Sequence, residues 1–296
     1  MSLSLCSTPK PFVGHIDLIQ RNALASWTYL MAAEDVVLLG DEEGTSDAAR
    51  EFGVRHVPEI ARNDHGTPLV DDLFRHAESA ARHKLVCYIN ADIVLMSDML
   101  AAVARIPFDR FLMIGRRCDL DIDEPLDVGA PDWEDRIRRA AATRGRMHGP
   151  TGIDYFVYPR GLWGDLPPFA LGRTAWDNYL VYRARLLQVP VIDASRVVSA
   201  VHQNHDYGHV RGGGEGAWKG PEAQQNLRLA GGLQRVFDIR DADWVLGPRR
   251  LARRRDVVHM RRWLERRRTL ARDRGALVRD VRKSDPSGPG EPGPLS

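Results

Sequence analysis

The sequence predicts an α/β fold with a mixed, mostly parallel central sheet flanked by helices. Over the first two thirds, short apolar runs alternate with amphipathic segments, the pattern of strands covered by helices on both faces. Four apolar runs end in polar clusters: Ser7-Thr8-Pro9-Lys10, Gly40-Asp41-Glu42-Glu43-Gly44, Asn90-Ala91-Asp92 and Gly115-Arg116-Arg117. Open α/β sheets bind ligands beyond the carboxyl ends of their strands. With 296 residues and 43% hydrophobic content, the chain can close a sizeable core.

In chain order, the strands are expected over Ser2 to Ser7, Asp35 to Leu39, Val54 to Val57, Leu85 to Ile89 and Phe111 to Ile114. Ile16, Ile19, Leu24 and Trp27 recur at helical spacing between the first two. Thr45 through Phe52 gives a second helix, and Leu69 through His83 a third, with Thr67-Pro68 as its entry signal. The residues after the first strand exclude some functions. A dinucleotide-binding domain, a Walker A loop and a sugar-phosphate nucleotidyltransferase each call for a glycine-rich turn where this chain has Thr8-Pro9-Lys10.

In Val86-Cys87-Tyr88-Ile89-Asn90-Ala91-Asp92, an apolar strand runs into two polar side chains spaced i, i+2, which share a face if the chain stays extended. Asp92 is suited to ligate a divalent cation, and Asn90 to bond a ribose or a metal-bound water. This resembles the Asp-x-Asp motif of GT-A glycosyltransferases, which use nucleoside-diphosphate sugars. Asn replaces the first acid here, and an amide brings no charge to a cation. The resemblance spans most of residues 1 to 210. It implies a GT-A (Rossmann-like) fold, a nucleoside-diphosphate sugar donor with a UDP-sugar favoured, and Mn²⁺ or Mg²⁺ as cofactor. It also implies donor contacts from Thr8, Lys10, Asp41, Asn90, Asp92 and Arg116. Asp41 often reads the nucleobase in that family, although an acid there also suits a helix N-terminus.

Further on, Ala175-Trp176-Asp177-Asn178-Tyr179-Leu180-Val181-Tyr182-Arg183 resembles the Glu-Asp-x-x-Leu-x-x-Arg helix start of many inverting GT-A enzymes, with Trp176 replacing Glu. Asp177 then falls on the catalytic base, a position that also suits an ordinary first-turn acid. Asp154 begins the expected strand from Thr151 to Tyr158 and is the alternative base or a ligand of donor hydroxyls. Trp163, Pro167-Pro168-Phe169 and Trp176 read as a sugar-stacking platform or, more often for such residues, as core.

His202, His205 and His209 lie within eight residues, after an expected strand from Arg196 to Val201. Many GT-A enzymes complete their metal site with a late histidine, which points to His202 or His205 beside Asp92. A separate zinc site is the competing reading, but no cysteine lies nearby. The glycine-rich stretch from Arg211 to Pro221 is either a lid, in which Lys219 or Arg211 meets the diphosphate, or a surface loop.

The net charge of +2 averages two unlike parts. Residues 247–283 carry about +11 and residues 1–246 about −7. The expected organisation is a catalytic domain over 1–246, comprising a nucleotide-binding half (1–115) and an acceptor half with lid (116–246). An arginine-rich tail of one or two helices follows over 247–283, and then a disordered Pro/Gly/Ser-rich end over 284–296. Cys6, Cys87 and Cys118 read as free thiols. The amino-terminal segment has no signal-peptide pattern and no run is long enough to span a bilayer, so a cytoplasmic enzyme is expected.

The function expected is inverting, metal-assisted glycosyl transfer to an acceptor hydroxyl or amine of unassigned identity, with retention as its near rival. The alternatives are a protein that binds nucleic acid or an acidic membrane through the arginine-rich tail, and a GT-A pseudoenzyme of weak activity.

Overall fold

The computed structural model describes residues 3–205, 215 and 218–284. Its first half alternates strand and helix: β1 (Leu3–Ser7), α1 (Gly14–Leu30), β2 (Val36–Leu39), α2 (Thr45–Phe52), β3 (Arg55–Val57), α3 (Val70–Ala80) and β4 (Leu85–Ile89). Next come β5 (Ile93–Val94), α4 (Asp98–Ala104), β6 (Leu112–Leu120), α5 (Trp133–Arg144), β7 (Arg146–Met147) and β8 (Ile153–Pro159). The chain continues through α6 (Trp176–Leu186), β9 (Val191–Asp193), β10 (Ala200–Gln203), α7 (Pro221–Ala230), β11 (Trp244–Leu246), β12 (Leu251–Arg253) and α8 (Val257–Ser284).

The main path of the sheet runs β12-β11-β9-β6-β8-β4-β1-β2-β3. Strand β4 lies parallel to β1, and β1 and β3 parallel to β2, while β8 runs antiparallel to both β4 and β6. Strands β1, β2 and β4 are buried along their whole length, as a sheet covered by helices on both faces requires. Alternation sends Leu5, Leu38 and Ile89 into the cluster with Trp27 of α1, and Cys6, Val37 and Tyr88 into the cluster with Phe74 of α3 and Trp176 of α6.

Strand β6 breaks register between Ile114 and Arg116. A Cβ on Gly115 would lie 2.0 Å from the Tyr155 hydroxyl, so only glycine fits under that ring. Before the bulge, β6 pairs with β8 and β9; after it, residues 117–120 pair with β10, and Cys118 and Asp119 with β7. The expected strand end at Gly115 is thus a mid-strand bulge, and the strand continues to Leu120. Bulges re-aim the side chains that follow them, and here those are Arg117 and Asp119.

Two further expectations need correction. The strand expected from Arg196 to Val201 starts only at Ala200, because Val197 and Val198 donate to the Ala194 carbonyl in a turn. The boundary expected between residues 246 and 247 falls inside the β11–β12 hairpin, which joins the main sheet through β9. Helix α8 is also fastened to the body. Leu270 is buried, Asp273 accepts from the Tyr182 hydroxyl and Arg235, and Arg262 pairs with Asp241. Beyond Ser284 the expected disordered end lies outside the described residues. No helix among the described residues is long and apolar enough to cross a membrane. Cys6, Cys87 and Cys118 are free thiols, the first two buried.

Candidate active site

Strand β4 ends at Ile89, and the chain turns through Asn90, Ala91 and Asp92 before β5. The turn is closed by the Ile93 amide donating to the Asn90 carbonyl at 3.3 Å, and it separates two side chains that an extended segment would align. The Asn90 amide donates to Asp154 Oδ1 at 2.6 Å, and the Asn90 backbone N–H donates to the Asp154 carbonyl at 3.0 Å. Asp92 faces a different group.

Asp92 Oδ2 lies 3.3 Å from Lys10 Nζ, 3.1 Å from His205 Nε2 and 3.9 Å from His202 Nε2. Ligand atoms of Asp92, His202 and His205 all fall within 4.8 Å of one another. The other carboxylate oxygen, Asp92 Oδ1, is buried without a hydrogen-bond partner among the described residues, a costly state unless a cation or a bound group completes it. Burial alone would raise the Asp92 carboxyl, but Lys10, His202 and His205 together hold it well below the ordinary value. One carboxylate with two imidazoles suits Mn²⁺ better than Mg²⁺, which prefers oxygen ligands and retains its waters. Lys10 Nζ also sits 2.9 Å from His205 Nε2, so the ammonium lies between two of the three ligands.

Register explains the placement of His202. Strand β10 sets it opposite Ile93 of β5 on one side and Asp119 of β6 on the other. Asp119 Oδ1 lies 3.3 Å from His202 Nδ1, and Asp119 Oδ2 lies 3.0 Å from His148 Nδ1. Burial raises the Asp119 carboxyl, but the neighbouring His202 and His148 rings and the Arg117 charge outweigh it and bring the group far below its ordinary range. A carboxylate this close behind an imidazole restrains the ring, although the His202 Nδ1 geometry falls short of a hydrogen bond.

Arg117 links this cluster to the second acid group. Its Nε donates to Asp119 Oδ1 at 2.9 Å, and its Nη1 donates to Asp154 at 3.0 and 3.2 Å. Asp154, buried at the start of β8, is therefore held by both Arg117 and Asn90. Asp177 stands in the first turn of α6, half-buried, with Oδ1 accepting from the Asn178 backbone N–H at 2.8 Å. Burial is the main force raising its carboxyl to about 7; the Asp154 charge adds to the rise, while the Asn178 backbone N–H and Arg117 oppose it. Ala175, just before α6, has φ +83°, a left-handed conformation that costs a residue with a Cβ. Strain of this kind recurs where a side chain must be aimed.

The structure thus gathers Lys10, Asp92, His202 and His205 in one group, and joins Asn90 and Asp154 in another. The remaining expected donor residues are engaged elsewhere. Thr8 accepts from the Tyr88 hydroxyl at 3.1 Å, and exposed Asp41 pairs with Arg62 at 2.7 Å. Arg116 donates from Nε to the His148 carbonyl, and exposed Lys219 pairs with Glu215 at 3.2 Å. His209, Arg211 and most of the expected lid lie outside the described residues. Trp163, Phe169 and Trp176 are all core, packed around Phe74, Tyr158 and Tyr179. Sequence reasoning missed Asp119 and His148, and named Arg117 only as part of a polar strand end. The Arg117-Cys118-Asp119 alternation beyond Gly115 was the available signal, obscured by ending the strand at Ile114.

No family model and no curated protein matches the chain. Among solved structures it is similar to glucosyl-3-phosphoglycerate synthase from Mycobacterium tuberculosis, at 13% identity over 79% of this chain and 80% of that one, with a TM-score of 0.46. That synthase has been solved with Mn²⁺, UDP and glucosyl-3-phosphoglycerate. S. aureus TarS is similar at 11% identity over 69% of this chain and 58% of that one, with a TM-score of 0.41. A cytidylyltransferase from Leptospira borgpetersenii is similar at 14% identity over 55% and 62%, with a TM-score of 0.34. At these levels the likenesses carry no functional weight, which rests on the residues of this chain.

Proposed function

We propose that the chain is an inverting glycosyltransferase that moves a sugar from a nucleoside-diphosphate sugar, a UDP-sugar in preference, to an acceptor hydroxyl or amine. The observation that carries this reading is a pair of differently tuned acids on neighbouring elements. Asp92 is kept ionised inside a three-ligand group, while Asp177 titrates near neutrality. Asp92, His202 and His205 would hold the Mn²⁺ or Mg²⁺, whose chemistry is to neutralise charge on a leaving diphosphate.

Asp177 has a general base's properties: a carboxyl raised by burial to about 7 and a fixed orientation at a helix start. It accepts the acceptor proton as the acceptor oxygen forms its bond to the anomeric carbon. The bond from that carbon to the diphosphate oxygen breaks with its electron pair leaving on the diphosphate. Attack opposite the leaving group inverts the anomeric centre. Arg117 and Asn90 both bond Asp154 beside the base, and the Asp154 charge is one of the forces that raise the Asp177 carboxyl.

One observation favours a variant of this reading. Lys10 Nζ contacts both Asp92 and His205, so its ammonium can supply the positive charge at the diphosphate in place of a metal ion. A thermal-shift series with UDP, GDP and CDP, each with and without Mn²⁺, tests both, since a ligand that binds only the folded state stabilises it by mass action. Stabilisation by UDP that requires Mn²⁺ supports the metal-assisted form, and metal-independent stabilisation supports the Lys10 form. No shift with any nucleoside diphosphate removes the proposal.

A further inference from the structure

Helix α8 has two faces, and only one belongs to the fold. His259, Arg262, Arg266, Leu270 and Asp273 bond to or pack on the body. On the opposite side, Val257, Met260 and Leu264 recur at i, i+3 and i+7 and so form one stripe, with Trp263 at its margin. These residues and Val258 are five of the ten large apolar side chains exposed among the described residues, so the exposure is concentrated, not scattered.

Charge surrounds the stripe. Arg255, Arg261, Arg267 and Arg268 are exposed, and the Arg267 guanidinium lies 5.8 Å from the Trp263 ring centroid. Arg261 is partly offset by Glu265 at 3.0 Å. An open cleft of about 340 Å³ lies between Arg254, Arg255, His259, Met260, Trp263 and Leu264. A face of this kind could meet nucleic acid, a second copy of the chain or a lipid surface. Phosphate backbones need the arginines but not the central valine, methionine, tryptophan and leucine. Two copies of a segment carrying about +11 repel each other. An anionic bilayer interface takes both components, the apolar side chains at the level of the headgroups and the arginines on the lipid phosphates.

We propose that this face of α8 seats the chain on an anionic lipid surface, with Val257, Met260, Trp263 and Leu264 entering the interface and Arg255, Arg261, Arg267 and Arg268 pairing with lipid phosphate. The net charge of about −7 on residues 1–246 disfavours contact of the rest of the molecule with the same surface. The inference is independent of the reaction proposed above.

Co-sedimentation of the full chain with phosphatidylcholine vesicles, with and without phosphatidylglycerol, tests it. Binding is expected only with phosphatidylglycerol and should weaken as salt rises. Trp263→Ser with Leu264→Ser should lower partitioning at least about tenfold, leaving any response to nucleoside diphosphates unchanged, because neither residue belongs to the candidate site. Arg261→Gln with Arg268→Gln should lower it further at high salt than at low salt only if lipid charge is unimportant, which would count against the proposal; the expected loss is greatest at low salt. Equal binding to both vesicle types overturns it, as does binding indifferent to the Trp263/Leu264 pair. Tighter binding to duplex DNA than to the anionic vesicles assigns the face to nucleic acid, and a dimer abolished by the Trp263/Leu264 pair without vesicle binding assigns it to a second copy. Asp92→Asn should leave vesicle binding intact, so failure here and failure of the reaction are read separately.

Discussion

Asp92 and Asp177 are both removed from bulk water, yet their carboxyls move in opposite directions. Asp92 is the more deeply buried, at 6% exposure, and is held well below its ordinary value. Asp177 rises to about 7. Burial pushes both carboxyls upward, so burial alone does not separate them. Lys10, His202 and His205 crowd the first acid with donors, whereas the second has only backbone N–H groups and the more weakly felt Arg117 charge against burial and a neighbouring carboxylate, Asp154. Partners set which acid stays charged and which can exchange a proton at neutral pH.

The sharpest way to break this contrast is Asp177→Asn. The amide retains size and can still accept from Asn178, but it cannot take a proton, so turnover should fall at least about 10²-fold with donor affinity nearly unchanged. Steady-state kinetics with a nucleotide titration decides it, and near wild-type turnover transfers the base role to Asp154. The complementary change, Asp92→Asn, should abolish Mn²⁺-dependent stabilisation by UDP while the fold persists; a thermal shift equal to wild type would show that the cation is held elsewhere. A smaller effect is expected one shell further out. Asp119→Asn should weaken Mn²⁺ affinity by about 10-fold, because His202 loses the carboxylate that orients it, and a metal titration measures this.

The smallest expected effect separates the two acids by pH. The folded-state pKa of Asp177 lies above its unfolded value, so the folded protein binds the extra proton, and this residue's contribution to stability falls as pH rises from about 4 to about 7. Asp177→Asn should therefore melt slightly higher than wild type above pH 7 and show no such gain near pH 4. Wild-type kcat/KM should rise with pH through about 7 as the base ionises. A melting difference between the two proteins that does not change with pH would mean that the carboxyl is not raised.

Legibility differed from element to element. The helix from Thr45 to Phe52 and the strand from Leu85 to Ile89 have the bounds that their periodicity and turn residues predict. Strand β9 and helices α4 and α5 went unanticipated: β9 is three residues long, and the helices' apolar patterns are short. Asp92, His202, His205 and Lys10 were all candidate residues, but sequence spacing placed Asn90 on the same face as Asp92. The turn at Ala91 sends it to Asp154 instead. Arg117 and Asp119 were hidden by the bulge at Gly115, whose cause is the Tyr155 ring 40 residues later in the chain.

By itself the sequence determined the alternation of strand and helix, the acid at the end of β4, the histidine cluster at the end of a later strand and the segregation of positive charge into residues 247–283. These depend on local periodicity, composition and turn chemistry, which neighbours in the chain carry. Only the tertiary structure decided that Lys10 lies between Asp92 and His205, that Arg117 ties Asp119 to Asp154, and that α8 buries one face and exposes the other. Each of these is set by the register of strands far apart in sequence and by the side chains they bring together, and no window of neighbouring residues contains that information.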